Sequence, residues 1–309
     1  MENKKIISLI VPCYNEETNV VPFYEEIVRV MQNIEGADFE IVFVDDGSKD
    51  NTFQEIQKLN AKDSRVRCIS FSRNFGKEAA LFSGIRSVTG DCAVILDADL
   101  QHPPAVIAEM YKKWAEEGYE VIEGIKTDRG KESLVHKLFT KIFYGMISRA
   151  VGMDMANSSD YKLLDKKVIA ELAALKERNT FFRALSFWVG FKKTTVYYEV
   201  QNRQSGVSKW STKSLIRYAI NNVICFSNTP LNIITGVGIA FVLIALGVAV
   251  DAIISFIRGT AASGFPTLTF LLILGIGGIM ISLGIIGIYI GQIYDEIKGR
   301  PQYIVGKKL

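Results

Sequence analysis

An α/β domain with a mostly parallel sheet, followed by interfacial helices and a two-helix transmembrane hairpin, is the architecture this sequence predicts. Three observations predict it. Apolar runs alternate with helix-like segments over the first half, polar clusters close those runs, and between Leu231 and Ile290 only Asp251 and Arg258 interrupt an apolar or small-residue sequence. With 309 residues, 49% of them hydrophobic, the chain is long enough for one large domain and a separate apolar element.

Strands are expected at residues 6–12 (IISLIVP), 40–44 (EIVFV), 66–72 (VRCISFS) and 92–97 (CAVILD), with helices at 17–34, 51–62, 77–88 and 104–117 between and after them. Strand and helix alternating at this spacing imply a parallel sheet covered on both faces. In such sheets ligands bind beyond the carboxyl ends of the strands. Three polar clusters fall there: CYNEE, DDGSKDN and DADLQH.

The runs at 231–257 and 267–290 each exceed the roughly 20 residues needed to cross a bilayer core. Lys209, Lys213 and Arg217 precede them and Lys298, Arg300, Lys307 and Lys308 follow, whereas the connection RGTAASGFP carries one basic residue. By the positive-inside rule both termini face the cytoplasm. The expected organisation is a cytoplasmic domain at 1–210, an interfacial helix or linker at 211–228, and the hairpin with its tail at 229–309. The first residues, MENKKIISLIVPCYNE, lack a signal-peptide pattern. Residues 133–151 place Leu134, Leu138, Ile142 and Met146 on one helical face with Lys137, Lys141 and Tyr144 on another, which suits a membrane interface or packing on the domain. Residues 212–226 form a second such candidate. A net charge of +3 gives no sign of a nucleic-acid partner, and the four cysteines have neither metal-site spacing nor secreted-domain density. His102 and His136 are too few imidazoles for a zinc site.

Asp97 and Asp99 flank one alanine at a strand end, where both carboxylates can reach one ligand. They suit a divalent cation, Mg²⁺ or Mn²⁺, that also accepts substrate phosphates, or else a solvated turn in which Asp99 caps the next helix. In DDGSKDN, Gly47 permits a tight turn and Ser48 or Asp50 can cap a helix, while Asp46 could accept hydrogen bonds from a nucleobase or ribose.

Seven stretches taken in order carry a resemblance: VPCYNEE (11–17), VDDGSKDNT (44–52), SRNFGKEAAL (72–81), GDCAVILDADLQHPP (90–104), SDYKLLDKKV (159–168), ERNTFFRALSFWVGF (177–191) and QSGVSKWS (204–211). Together they resemble the family-two glycosyltransferases of A-type fold, and within them the polyprenyl-phosphate enzymes that include dolichyl-phosphate mannose synthases and bactoprenol glucosyltransferases. The likeness runs through the hairpin. It implies a nucleoside pocket of Pro12, Tyr14, Glu16, Val44 and Asp46. Asp97, Ala98, Asp99 and Gln101 match the segment holding the donor diphosphate and the cation, with Asp97, Asp99 and Gln101 as its ligands. Arg203 and Lys209 match a loop that closes over the diphosphate, with Gly206 between them. Asp99 and Asp160 are the implied catalytic residues, Asp160 as base or orienter near the acceptor.

Cations for an acceptor phosphate are expected from Lys126, Arg129 and Lys131. Relatives often carry arginine where this chain has Lys126, and phenylalanine and arginine where it has Tyr161 and Lys162; the site's charge is kept, but lysine binds phosphate as a point charge rather than a fork. The implied activity is inverting transfer of a hexose, first of all glucose from UDP-glucose, to undecaprenyl phosphate at the cytoplasmic face, with UDP-N-acetylglucosamine, UDP-galactose and GDP-mannose as other donors. A second copy of the chain, as a homo-oligomer, and a downstream flippase are candidate partners, and the sequence does not fix the oligomeric state. A processive polysaccharide synthase is disfavoured by only two spans and no Q-x-x-R-W stretch. A non-catalytic binder of lipid-linked sugar, or a flippase scaffold, would have no need for a leaving-group site.

Overall fold

The computed structural model describes residues 4–127, 145, 148, 158–178, 180–199, 229–259 and 264–309. It divides into two compact units, residues 1–215 with 301–309 and residues 216–300. In the first, β1 (Lys5–Cys13), α1 (Val20–Met31), β2 (Ala37–Asp45), α2 (Thr52–Lys62), β3 (Val66–Phe71), α3 (Lys77–Ile85), β4 (Cys92–Ile95) and α4 (Val106–Ala115) alternate as the apolar runs require. Strands β3, β2, β1 and β4 lie side by side and parallel. Ile7, Leu9, Ile10 and Val11 of β1 are all fully buried, so both faces of this central strand are covered and it reads as an apolar run broken only by the buried Ser8. Helix α1 turns Val20, Phe23, Ile27 and Met31 to the core at helical spacing, and Phe23 meets Phe43 of β2 edge-on.

Boundaries depart from expectation where side chains take over the backbone. β2 starts at Ala37 because its register with β1 begins at the Lys5–Ala37 pair. α1 starts at Val20 because residues 15–17 bond to the loop after β2 instead.

The rest of the sheet is less regular. β5 (Val121–Lys126) is followed by β6 (Lys162–Asp165), which α5 (Lys166–Ala174) and α6 (Phe182–Trp188) connect to β7 (Lys193–Tyr198), and β6 inserts antiparallel between β4 and β5. The full order is β7-β5-β6-β4-β1-β2-β3-β8. The last strand, β8 (Val305–Lys308), comes from residues that composition groups with the apolar pair; it runs antiparallel to β3 along the sheet edge. Just before it, Tyr303 stacks on Phe71 with ring centroids 4.7 Å apart.

The second unit contains α7 (Thr229–Ile257) and α8 (Phe265–Ile297). Within them Pro230–Ile257 and Leu271–Ile297 are long and apolar enough to cross a membrane, with mean hydropathies of 2.7 and 2.5. α8 continues past residue 290 through GQIYDEI, beyond the apolar run, and Lys298 reaches back to Asp295 at 3.7 Å. The interfacial helices expected at 133–151 and 212–226 lie outside the described residues, apart from residues 145 and 148, which are helical.

One charge goes where the sequence did not place it. Lys162, expected among the phosphate-facing positions, is fully buried, and its Nζ lies 3.1 Å from Glu123 and 2.9 Å from Ser186 Oγ. Burial pulls this ammonium down to about 8 against the attraction of Glu123. Its charge is matched inside the core and is not offered to a ligand. Removing one partner of such a pair strands the other, so Lys162→Ala should lose about 3–5 kcal/mol in denaturant unfolding of the detergent-solubilised protein. Lys162→Met combined with Glu123→Gln should recover most of that loss; a Lys162→Ala protein as stable as the parent would show the pair to be inconsequential.

Candidate active site

The parallel register sets the first wall. Pro12 pairs with Val44, so Tyr14 and Asp46, two residues beyond each, emerge together from the carboxyl ends of β1 and β2. The loops that follow are laced to each other. Asn15, at φ +55°, donates its N–H to Ser48 Oγ at 2.9 Å and accepts from Lys49 N at 2.8 Å, while Glu16 N donates to Thr52 Oγ1 at 2.8 Å. Gly47 sits at φ +67° with Arg73 backbone so close that a Cβ would lie 2.4 Å from its carbonyl carbon, which leaves room for glycine alone.

Asp46 is buried and accepts from Phe75 N at 2.6 Å and Gly76 N at 2.9 Å. Burial pushes its carboxyl up to about 6, with the two backbone donors pulling the other way. The expected nucleoside acceptor therefore also clamps the segment that opens α3. Glu16 accepts from Asn19 Nδ2 at 2.6 Å. Val44 is fully buried and packs with Ile69, Phe71 and Ala80, so its side chain serves the core beneath the pocket.

The second wall is built by β4 and β6. Because β6 is antiparallel to β4, with Ile95 opposite Lys162, the residues before β6 arrive at the carboxyl end of β4. This brings Asp160 to Asp97 across a wide sequence separation. Lys77, the first residue of α3, lies between them: its Nζ is 2.7 and 2.8 Å from the Asp97 oxygens and 3.0 Å from Asp160 Oδ2. Arg183 of α6 completes a fork on Asp160 through Nε at 2.8 Å and Nη2 at 3.1 Å. The result is an alternating chain, Asp97, Lys77, Asp160, Arg183. Burial works against both carboxyls, but Lys77 lowers Asp97, and Arg183 and Lys77 together hold Asp160 well below the usual carboxylate range.

Beneath the turn, His102 Nδ1 pairs with the Tyr198 hydroxyl and Tyr161 donates its hydroxyl to Pro103 O at 2.9 Å. Burial holds the imidazole below its ordinary value. Leu100 takes φ +58°, Asp99 Oδ1 accepts from Gln101 N at 3.1 Å, and Ala98 is buried.

Lys126, at the end of β5, is only partly buried; burial and Arg183 disfavour its charge, and Asp97 and Asp99 favour it. Arg129, Lys131, Arg203 and Lys209 lie outside the described residues. Asp97 and Asp99 offer the hard oxygen donors that Mg²⁺ and Mn²⁺ prefer. No group of three His, Cys, Asp or Glu side chains able to hold a metal occurs among the described residues. The donor set therefore fits a cation that takes its remaining ligands from substrate phosphates and water.

Lys77 and Arg183 are the site residues that sequence reasoning missed. A lysine in the first turn of a helix faces the positive end of the helix dipole, and that local conflict is the signal that could have found Lys77. Arg183 has no comparable signature.

Residues 8–170, more than half of the chain, match the glycosyl transferase family 2 model. A glycosyltransferase of Bacillus subtilis strain 168, YkcC, is 37% identical over 308 residues, 97% of this chain and 93% of its own length. The SfII prophage-derived bactoprenol glucosyl transferase of Shigella flexneri is 35% identical over 304 residues, 97% of both chains. Among solved structures, a mannosyltransferase of Pyrobaculum calidifontis in complex with GDP-Man and Mn²⁺ aligns at TM-score 0.45 and 16% identity, over 91% of this chain and 88% of its own.

A carboxyl titrating near 6 is ionised above that pH and protonated below it. Binding that needs Asp46 as an acceptor should be complete above that point and fall as pH drops through it. Uridine nucleotide affinity, measured calorimetrically at pH 5.5 and 7.5 for wild type and Asp46→Asn, should fall more steeply in wild type; the comparison cancels the nucleotide's own titration. Parallel pH profiles would remove Asp46 from the pocket.

Proposed function

This chain belongs to glycosyl transferase family 2, and on that premise we propose that it transfers a hexose from a nucleotide sugar to undecaprenyl phosphate at the cytoplasmic face of the membrane, with UDP-glucose as the donor. The observation that carries the reading is the convergence of Asp46, Asp97, Asp99, Asp160 and Lys126 on one edge of the sheet. Its relatives named as bactoprenol glucosyl transferases span 97% of the chain, which favours glucose and a polyprenyl acceptor. Two helices apolar enough to cross a bilayer suit an acceptor that never leaves it. Lys209, Lys213 and Arg217 precede the pair and Lys298 and Arg300 follow it, which favours placing both ends on the cytoplasmic side.

In the proposed reaction an oxygen of the acceptor phosphate attacks the anomeric carbon as the bond to the nucleoside diphosphate breaks. The electron pair leaves on the diphosphate oxygen, and a single displacement inverts the centre. Asp97, Asp99 and Gln101 would hold Mg²⁺ or Mn²⁺, which when bound offsets the negative charge growing on the leaving group. Arg203 and Lys209 would add to that, and Pro12, Tyr14, Glu16 and Asp46 would seat the nucleoside. Lys126, with Arg129 and Lys131, would receive the acceptor phosphate. That phosphate is already anionic, so it needs no strong base. Asp160, held well below the carboxylate range, has little affinity for a proton and acts as the orienting anion for Arg183 and Lys77.

Purified full-length protein given undecaprenyl phosphate and a panel of radiolabelled nucleotide sugars should form a labelled lipid with UDP-glucose. A different donor would revise the sugar alone; no lipid-linked product from any donor would overturn the reading. Lys126→Ala should raise the acceptor KM about ten- to a hundredfold and leave nucleotide affinity near wild type, matching the loss of one charge-assisted hydrogen bond.

A further inference from the structure

We infer that Lys77 is the resident counter-cation of the D-x-D site, holding Asp97 and Asp160 together until a divalent cation takes Asp97 from it. The inference rests on reading Asp97 as a metal ligand. Its base is geometric: one ammonium covers both oxygens of Asp97, at 2.7 and 2.8 Å, and still reaches Asp160 at 3.0 Å. Among the described residues, His102 stands off from Asp97 at 3.9 Å and Lys126 makes no ion pair with it at the distance Lys77 does.

The backbone beneath Lys77 is fixed from two directions. Asp46 grips Phe75 N and Gly76 N on its amino side, and Glu78, the next residue, accepts from Phe182 N at 2.8 Å. Gly76 itself is at φ +101°, a conformation that favours glycine. Movement of the ammonium therefore falls to its flexible four-carbon stem.

A divalent cation on the oxygens that Lys77 holds meets a like charge at close range. Loading the metal at Asp97 is therefore opposed by Lys77 and favours its withdrawal, with Asp160 still within its reach. Lys77 is a positioning residue in this scheme: it keeps two like charges side by side and sets the cation concentration at which the site fills.

The test is direct Mn²⁺ binding to the full-length detergent-solubilised protein, followed by electron paramagnetic resonance with and without UDP. Lys77→Gln removes the competitor and should bind Mn²⁺ about tenfold or more tightly than wild type. Lys77→Arg keeps the charge and grips both oxygens as a fork, so it should bind Mn²⁺ equally or less tightly. Steady-state transfer should divide the same way, with Lys77→Gln reaching half-activity at lower Mn²⁺ while its kcat falls. Unchanged or weaker Mn²⁺ binding in a folded Lys77→Gln protein overturns the inference. If that variant fails to fold, tighter binding by Lys77→Arg overturns it, and weaker binding supports it. Absence of Mn²⁺ binding in every variant, with lipid-linked product still formed, also overturns it and leaves the proposed transfer reaction standing.

Discussion

Two carboxylates side by side at the mouth of a sheet, Asp160 buried and Asp97 partly so, need cations, and that requirement organises this protein's site. Asp97 and Asp160 face each other because β6 enters the sheet antiparallel to β4. Left alone they would repel, and one would take up a proton. Lys77 and Arg183 prevent that, and each ties down a different piece of the fold: α3 through Lys77, α6 through Arg183. Asp46 extends the same logic toward the nucleoside side by bonding the backbone just before Lys77. The loops around the site are thus joined through charge.

How much of this is legible in the sequence depends on whether the signal is local. The four parallel strands and their helices follow from alternating apolar runs; the register that sets Tyr14 beside Asp46 does not, because the apolar runs of 6–12 and 40–44 are unequal and only the pairing of the full strands fixes it. The two long helices follow from composition. The positions of β6 and β8 do not, because short strands of four residues carry no periodicity worth reading and their partners lie far away in the chain. The ion chain is hidden for the same reason: its members come from four different segments, and only the D-x-D pair announces itself.

Lys162 shows how a charge can mislead. In the sequence it stands two residues from Asp160, where a cation for phosphate is expected, and no local pattern reveals the buried carboxylate that awaits it. Lys162 falls on the inward side, where Glu123, Ser158 and Ser186 meet it and Phe187 lies 4.0 Å from its ammonium. Tyr161, its neighbour, instead supports the D-x-D turn through Pro103. Both residues hold the site from behind, and the outer charge falls to Lys126.

Strand β8 has a consequence for the order of folding. A ribosome reaches residues 305–308 only after making both apolar helices, so β3 waits with an open row of N–H and C=O groups until they have emerged. Such an edge invites pairing with another chain. During that interval Phe71 also lacks the ring of Tyr303 that later covers it. Until then the nascent protein keeps the longer, more apolar edge of β3; the arrival of β8 replaces it with a four-residue edge bearing Lys307 and Lys308, which pairs less readily with another chain.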